Sequence, residues 1–86
     1  MKSFELELAK LGAPLITRKG LKARIVCFDR VDEKYHAPIL ALILGNDKKW
    51  EMTVQYGNDG RIPYGYNPDF DLFIDDKSEL WKKMMN

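Results

Sequence analysis

The stretch Ile39-Leu40-Ala41-Leu42-Ile43-Leu44 is apolar at every position, with Pro38 before it and Gly45-Asn46-Asp47 after it. Read as a strand, a run with no polar position predicts cover on both faces, as in a barrel or in a sheet flanked by a helix. Proline fits the entry, because the first position of a strand tolerates a missing N–H. The run is therefore the best core candidate, with Leu42 expected among the most costly residues to truncate. Downstream, Gly45-Asn46-Asp47 signals a turn. Trp50, Met52, Val54 and Tyr56 then alternate with Glu51, Thr53 and Gln55, the pattern of a strand with one dry and one wet face. Gly57-Asn58-Asp59-Gly60 reverses the chain again and implies a further hairpin.

Upstream, Leu15-Ile16-Thr17, the turn Arg18-Lys19-Gly20 and the β-branched and aromatic run Lys22 to Phe28 predict a hairpin. Residues 29–37 are polar and interrupted, hence a loop. Phe4, Leu8 and Leu11 fall on one face of a short helix with Ser3 as N-cap, and Gly12 and Pro14 stop it. The alternation of Phe4, Leu6 and Leu8 with Glu5 and Glu7 leaves a strand open. Past Ile62, the segment 63–70 reads as an irregular loop pinned by ring packing. Leu72-Phe73-Ile74 suits a last short strand. Asp76 followed by Glu79 resembles a capping box before a helix carrying Leu80, Trp81 and Met84.

These readings add up to a single small domain over residues 1–86, mainly β with short terminal helices. The architecture expected is a small, strongly bent antiparallel meander or partly open barrel. The composition agrees: 45% hydrophobic and 31% charged residues describe an ordinary globular protein, with ten aromatics to fill a small interior. Ile25, Ile39, Leu40, Leu42, Ile43, Trp50, Val54, Leu72 and Phe73 are the expected core. The net charge of +1 gives no bulk field toward nucleic acid or membrane, although the first 43 residues carry +3 and the last 43 carry −2. One cysteine excludes an internal disulfide and fits a reducing, cytoplasmic setting. The opening MKSFELELAK lacks a signal-peptide core, and no apolar run approaches a membrane span.

Chemistry-bearing residues are sparse. Cys27 lies in a predicted strand and His36 in a polar loop, with no hydrolase motif around them. Asp69, Asp71, Asp75 and Asp76 are interleaved with apolar residues and lack the glycine bend of a calcium loop, so no metal site and no cofactor is expected. The glycines at 57, 60 and 65 match no phosphate-binding pattern. Two surfaces remain. Tyr56, Tyr64, Tyr66 and Phe70 form an aromatic group suited to a protein partner. Arg18, Lys19, Lys22, Arg24 and Arg61 form a modest basic group suited to phosphates.

The elements Gly12-x-Pro14, Thr17-Arg18-x-Gly20, Ala23-Arg24-Ile25-Val26-Cys27-x-Asp29, Pro38-Ile39-x-Ala41-Leu42-Ile43 and Asp59-Gly60-Arg61 form a pattern. It resembles uncharacterised short proteins of bacteriophages, prophages and Bacteroides-type mobile elements, over roughly residues 4 to 75. The resemblance implies a small intracellular accessory protein and brings no catalytic residues with it. The expectation is a non-enzymatic protein-binding module, working through the aromatic loop or an exposed sheet edge, with self-pairing of that edge into a homodimer as one form. The alternative is a weak nucleic-acid-binding β-barrel.

Overall fold

A computed structural model describes residues 1–64 and 67–86. In chain order the elements are β1 (Lys2–Ser3), α1 (Leu6–Lys10), β2 (Leu15–Thr17), β3 (Lys22–Cys27), β4 (Ile39–Leu44) and β5 (Glu51–Tyr56). A 3₁₀ turn (Pro68–Phe70), β6 (Leu72–Ile74) and α2 (Glu79–Met85) complete the chain. The six strands form one open antiparallel sheet in the order β1-β6-β2-β3-β4-β5.

The sequence explains each boundary. Helix α1 ends where Gly12 adopts φ +93°, a conformation that suits a residue without Cβ. The Gly12 N–H then donates to Ala9 O and the Ala13 N–H to Leu8 O, both at 3.0 Å, the paired closure of a Schellman motif. The start of α1 differs from the sequence reading. Ser3 lies in β1, and Glu5 takes the N-cap position without a side-chain cap bond. The short segment matched both periodicities, and pairing of Lys2 and Ser3 with β6 selected the extended form.

Strands β2 and β3 form the expected hairpin. The fully buried Thr17 closes its turn by accepting the Leu21 N–H at Oγ1, 3.1 Å. In β3 the register slips between Ile25, opposite Ala41, and Cys27, opposite Leu40. This bulge bends the strand and turns Val26 outward, 53% exposed. The loop 29–38 is tied by Asp32, which accepts from the Tyr35 N–H and from Arg30, and by the Arg30 N–H bonded to Pro38 O. The Tyr35 N–H, then Arg30, holds the Asp32 carboxyl below its ordinary pKa.

Beyond β5 the chain does not make the further hairpin. The turn 57–60 closes with Gly57 N–H to Arg61 O at 2.8 Å, and the chain then crosses to form β6 between β1 and β2. Strand β5 is left as an edge. Pro63 and Pro68, neither of which can donate to a ladder, lie in the segment where a returning strand would have run. At the C-terminal helix the cap is Ser78, whose Oγ accepts the Leu80 N–H at 3.1 Å; the expected cap, Asp76, instead faces the chain's amino terminus at 3.7 Å.

Strand β4 divides its six apolar residues between two faces. Ile39, Ala41 and Ile43 are fully buried, and Leu40, Leu42 and Leu44 are half-buried. The buried set joins Leu15, Val54, Tyr56, Leu72 and Ile74 in one core. Leu6 and Leu8 of α1 and Trp81 and Met84 of α2 pack on the same side, so both helices cover that face. The expectation of cover on both faces is therefore corrected to cover on one. Trp50 is corrected as well: 49% exposed, it lies beyond the end of β5 against Gly45.

Candidate functional site

Of the aromatic group, Tyr56 is fully buried, and its hydroxyl donates to Phe70 O at 2.6 Å. Burial, reinforced by the charge of Asp71 and then by Tyr64, pushes its pKa well above the ordinary tyrosine value. Phe70 is half-buried and packs against the core. Tyr64 is half-buried, donates its hydroxyl to Gln55 Oε1 and meets Tyr35 with ring centroids 4.8 Å apart. Tyr66 lies outside the described residues. Tyr56, fully buried, presents no surface to a partner.

The basic group is spread over the molecule and largely engaged by the chain's own acids. Arg18 donates from Nε to Pro68 O at 3.1 Å, lies 3.5 Å from Asp71 and stacks over Phe73 at 4.8 Å. Lys19 pairs with Asp69 at 3.4 Å. Arg24 grips Glu51 through two nitrogens, at 3.0 and 3.3 Å. Lys22 and Arg61 are exposed, with no ion pair among the described residues. Arg18 and Arg61 do meet: with Asp59 and Asp71 they line a shallow cleft of about 410 Å³ floored by Phe4, Leu72 and Phe73. Two distant sequence elements, Thr17-Arg18-x-Gly20 and Asp59-Gly60-Arg61, are joined there by Leu72 N–H to Gly60 O and Arg18 N–H to Asp71 O. Two arginines against two aspartates leave the cleft near neutrality.

The other candidate residues also have local partners. Asp69 and Asp71 face Lys19 and Arg18, Asp75 accepts from the Lys77 N–H, and Asp76 faces the amino terminus. Cys27 is half-buried beside the β3 bulge, and the exposed His36 sits in its loop at φ +54°. Among the described residues no group of three or more His, Cys, Asp or Glu side chains is arranged to hold a metal ion.

The surface that sequence reasoning missed is the outer face of the sheet. Strand alternation places Leu40, Leu42 and Leu44 there, and the register sets Cys27 and Arg24 on one side of them and Gln55, Thr53 and Glu51 on the other. Ile16 and Phe73, opposite each other, add a second apolar spot toward β6, separated from the leucines by the exposed Lys22 opposite Ile16. The result is a row of partly buried leucines within a charged and polar frame, with the Arg24–Glu51 pair bridging across Leu42 and Leu44. No helix lies against this face among the described residues. An apolar centre with a polar rim is the anatomy of a protein-binding patch. The signal was present as the alternation of Ile39, Ala41 and Ile43 with three leucines, obscured because all six residues are apolar.

The family described as Haemophilus phage HP1 protein YO09 matches residues 1–74. No curated protein and no solved structure matches the chain.

Proposed function

We propose that this chain, which belongs to the Haemophilus phage HP1 protein YO09 family, is a non-enzymatic accessory module that takes a protein partner on the outer face of its sheet. The phage membership agrees with the phage-type resemblance of its motifs. Its wider occurrence in prophages and Bacteroides-type mobile elements, and a place in the cytoplasm, belong to the proposal. No helix among the described residues is long and apolar enough to cross a membrane. The observation that carries the reading is the row Leu40, Leu42, Leu44 on a face that no helix covers among the described residues. Each leucine is already partly buried, so covering what it still exposes against a partner is worth up to about 1 kcal/mol, several-fold in affinity, and the row of three adds these together.

The nucleic-acid alternative has weaker support, because Arg18, Lys19 and Arg24 are held by Asp71, Asp69 and Glu51. A phosphate backbone would have to displace those acids before gaining the contacts.

Affinity capture from lysate of an infected host separates the readings. Leu42→Arg should preserve the melting temperature to within a few degrees and abolish capture of the protein taken by the unsubstituted chain, while Tyr64→Ala should leave capture intact. Capture that survives Leu42→Arg removes the outer face from consideration. Loss on Tyr64→Ala alone transfers the role to the aromatic loop. Salt-sensitive binding of an oligonucleotide, weakened by Arg18→Ala and Lys22→Ala, supports the alternative instead.

A further inference from the structure

Strand β5 is an open edge of six residues, and its backbone polarity can be read from the hairpin that precedes it. Gly45 N–H donates to Trp50 O at 2.9 Å, so Gly45 and Trp50 are a hydrogen-bonded pair. Antiparallel pairs alternate between bonded and non-bonded, and the β4–β5 register is continuous from Leu44–Glu51 to Ile39–Tyr56. Met52, Val54 and Tyr56 therefore direct their N–H and C=O groups toward β4. Glu51, Thr53 and Gln55 direct theirs outward, where the sheet has no further strand among the described residues.

Natural edges are protected by lysines, prolines, bulges or shortness. The other edge, β1, has two of these: it is two residues long and carries Lys2. Strand β5 has none. It contains no lysine, proline or bulge, and its single charge, Glu51, is neutralised by Arg24 of the same chain.

We infer that β5 pairs antiparallel with β5 of a second copy of this chain, on a two-fold axis through Thr53. A second copy fits this edge because the edge is self-complementary. With Thr53 opposite its own equivalent, Glu51 faces Gln55 of the second copy, an acid against an amide, and Met52 faces Val54, apolar against apolar on the core side. Every outward N–H and C=O of Glu51, Thr53 and Gln55 then finds a partner. Moving the axis to Val54 sets Glu51 against Gly57, whose N–H is already given to Arg61 O. An axis between the two residues sets core-side residues against outer-face residues and is excluded by the pleat. The inference stands on the edge geometry and does not depend on the outer face having a partner. If both hold, the dimer places two leucine rows on one continuous surface.

Sedimentation of the purified full chain over a concentration series tests the pairing. The expected species has twice the 10.0 kDa chain mass. Thr53→Pro removes an outward N–H without touching the β4 ladder, and Thr53→Lys places like charges opposite each other at the axis. Either variant should sediment as a monomer with a near-unchanged melting temperature; if the proline variant fails to fold, the lysine variant carries the test. Residues opposite each other in a bonded pair have Cα atoms about 5.5 Å apart, within disulfide reach. In a Cys27→Ser background, Thr53→Cys should therefore form a covalent dimer under mild oxidation, and Gln55→Cys should not. A native chain that is monomeric throughout, a dimer indifferent to Thr53→Lys, or crosslinking at position 55 in place of 53 overturns the inference.

Discussion

Ile43→Ala is expected to lower the unfolding free energy by about 2–5 kcal/mol, while Leu42→Ala, one residue away on the same strand, costs about 1 kcal/mol. Ile43 is fully buried, with Ala23 and Met52 opposite it on the neighbouring strands. Truncating it removes three carbons from a closed interior and leaves a cavity. Leu42 is half-buried, set between Arg24 and Thr53 on a face that water reaches. Truncation there costs part of a transfer energy and leaves no cavity. A domain of this length stabilises itself near the low end of the usual range of about 5–15 kcal/mol, so the first loss consumes much of the total. Urea unfolding monitored by circular dichroism measures the difference: the Ile43→Ala midpoint should fall steeply and that of Leu42→Ala only slightly. Equal losses would mean that β4 is covered alike on both faces.

Gly60→Ala is expected to be the second large loss, on the order of 2–4 kcal/mol from two separate sources. Gly60 has φ +78°, which costs an L side chain roughly 1–2 kcal/mol. A Cβ there would also stand 2.6 Å from Cγ of Phe4 and 2.8 Å from its Cβ. Phe4 packs against the core and floors the Arg18–Arg61 cleft, so it cannot yield without opening that end of the sheet. Gly60 also accepts, at its carbonyl oxygen, the Leu72 N–H that anchors the start of β6. Gly20→Ala is the internal control: its φ is +89°, yet a Cβ would meet nothing within 4 Å, so only the backbone cost of about 1–2 kcal/mol applies. Thermal melts of Gly60→Ala, Phe4→Ala and the double variant read the coupling directly. The double variant should lose less than the sum of the singles, because removing the ring removes the 2.6 Å contact with Cγ and frees residue 4, whose remaining Cβ lies at 2.8 Å, to shift. Simple additivity would assign the whole Gly60 effect to its backbone angle.

The strands were legible where a residue pattern was local. The hairpin 15–27, the run 39–44 and the alternation of 51–56 follow from side-chain periodicity and turn residues, and the structure places strands there. The misreadings have one cause in common: each depended on what came to lie alongside. Ser3 could cap a helix until pairing with β6 drew it into a strand. The turn 57–60 has hairpin residues, but the chain after it goes to the far side of the sheet, which no local signal encodes. Trp50 satisfies the dry-face alternation of β5, yet it lies past the strand's end, where the core has stopped. The candidate surfaces divided in the same way. Tyr56 was recognisable as an aromatic of consequence, but its fate as a buried donor to Phe70 O is a tertiary fact. The leucines of the outer face were hidden in plain composition, because an all-apolar strand reads the same whether one face or two are covered.

One-sided burial of β4 underlies both the core and the outer leucine row, and thiol accessibility measures it residue by residue. In a Cys27→Ser background, Ala41→Cys and Leu42→Cys are treated with a thiol reagent under native conditions. The structure predicts prompt labelling at position 42 and protection at position 41 until the chain is unfolded; protection at both positions, or labelling at both, would contradict it.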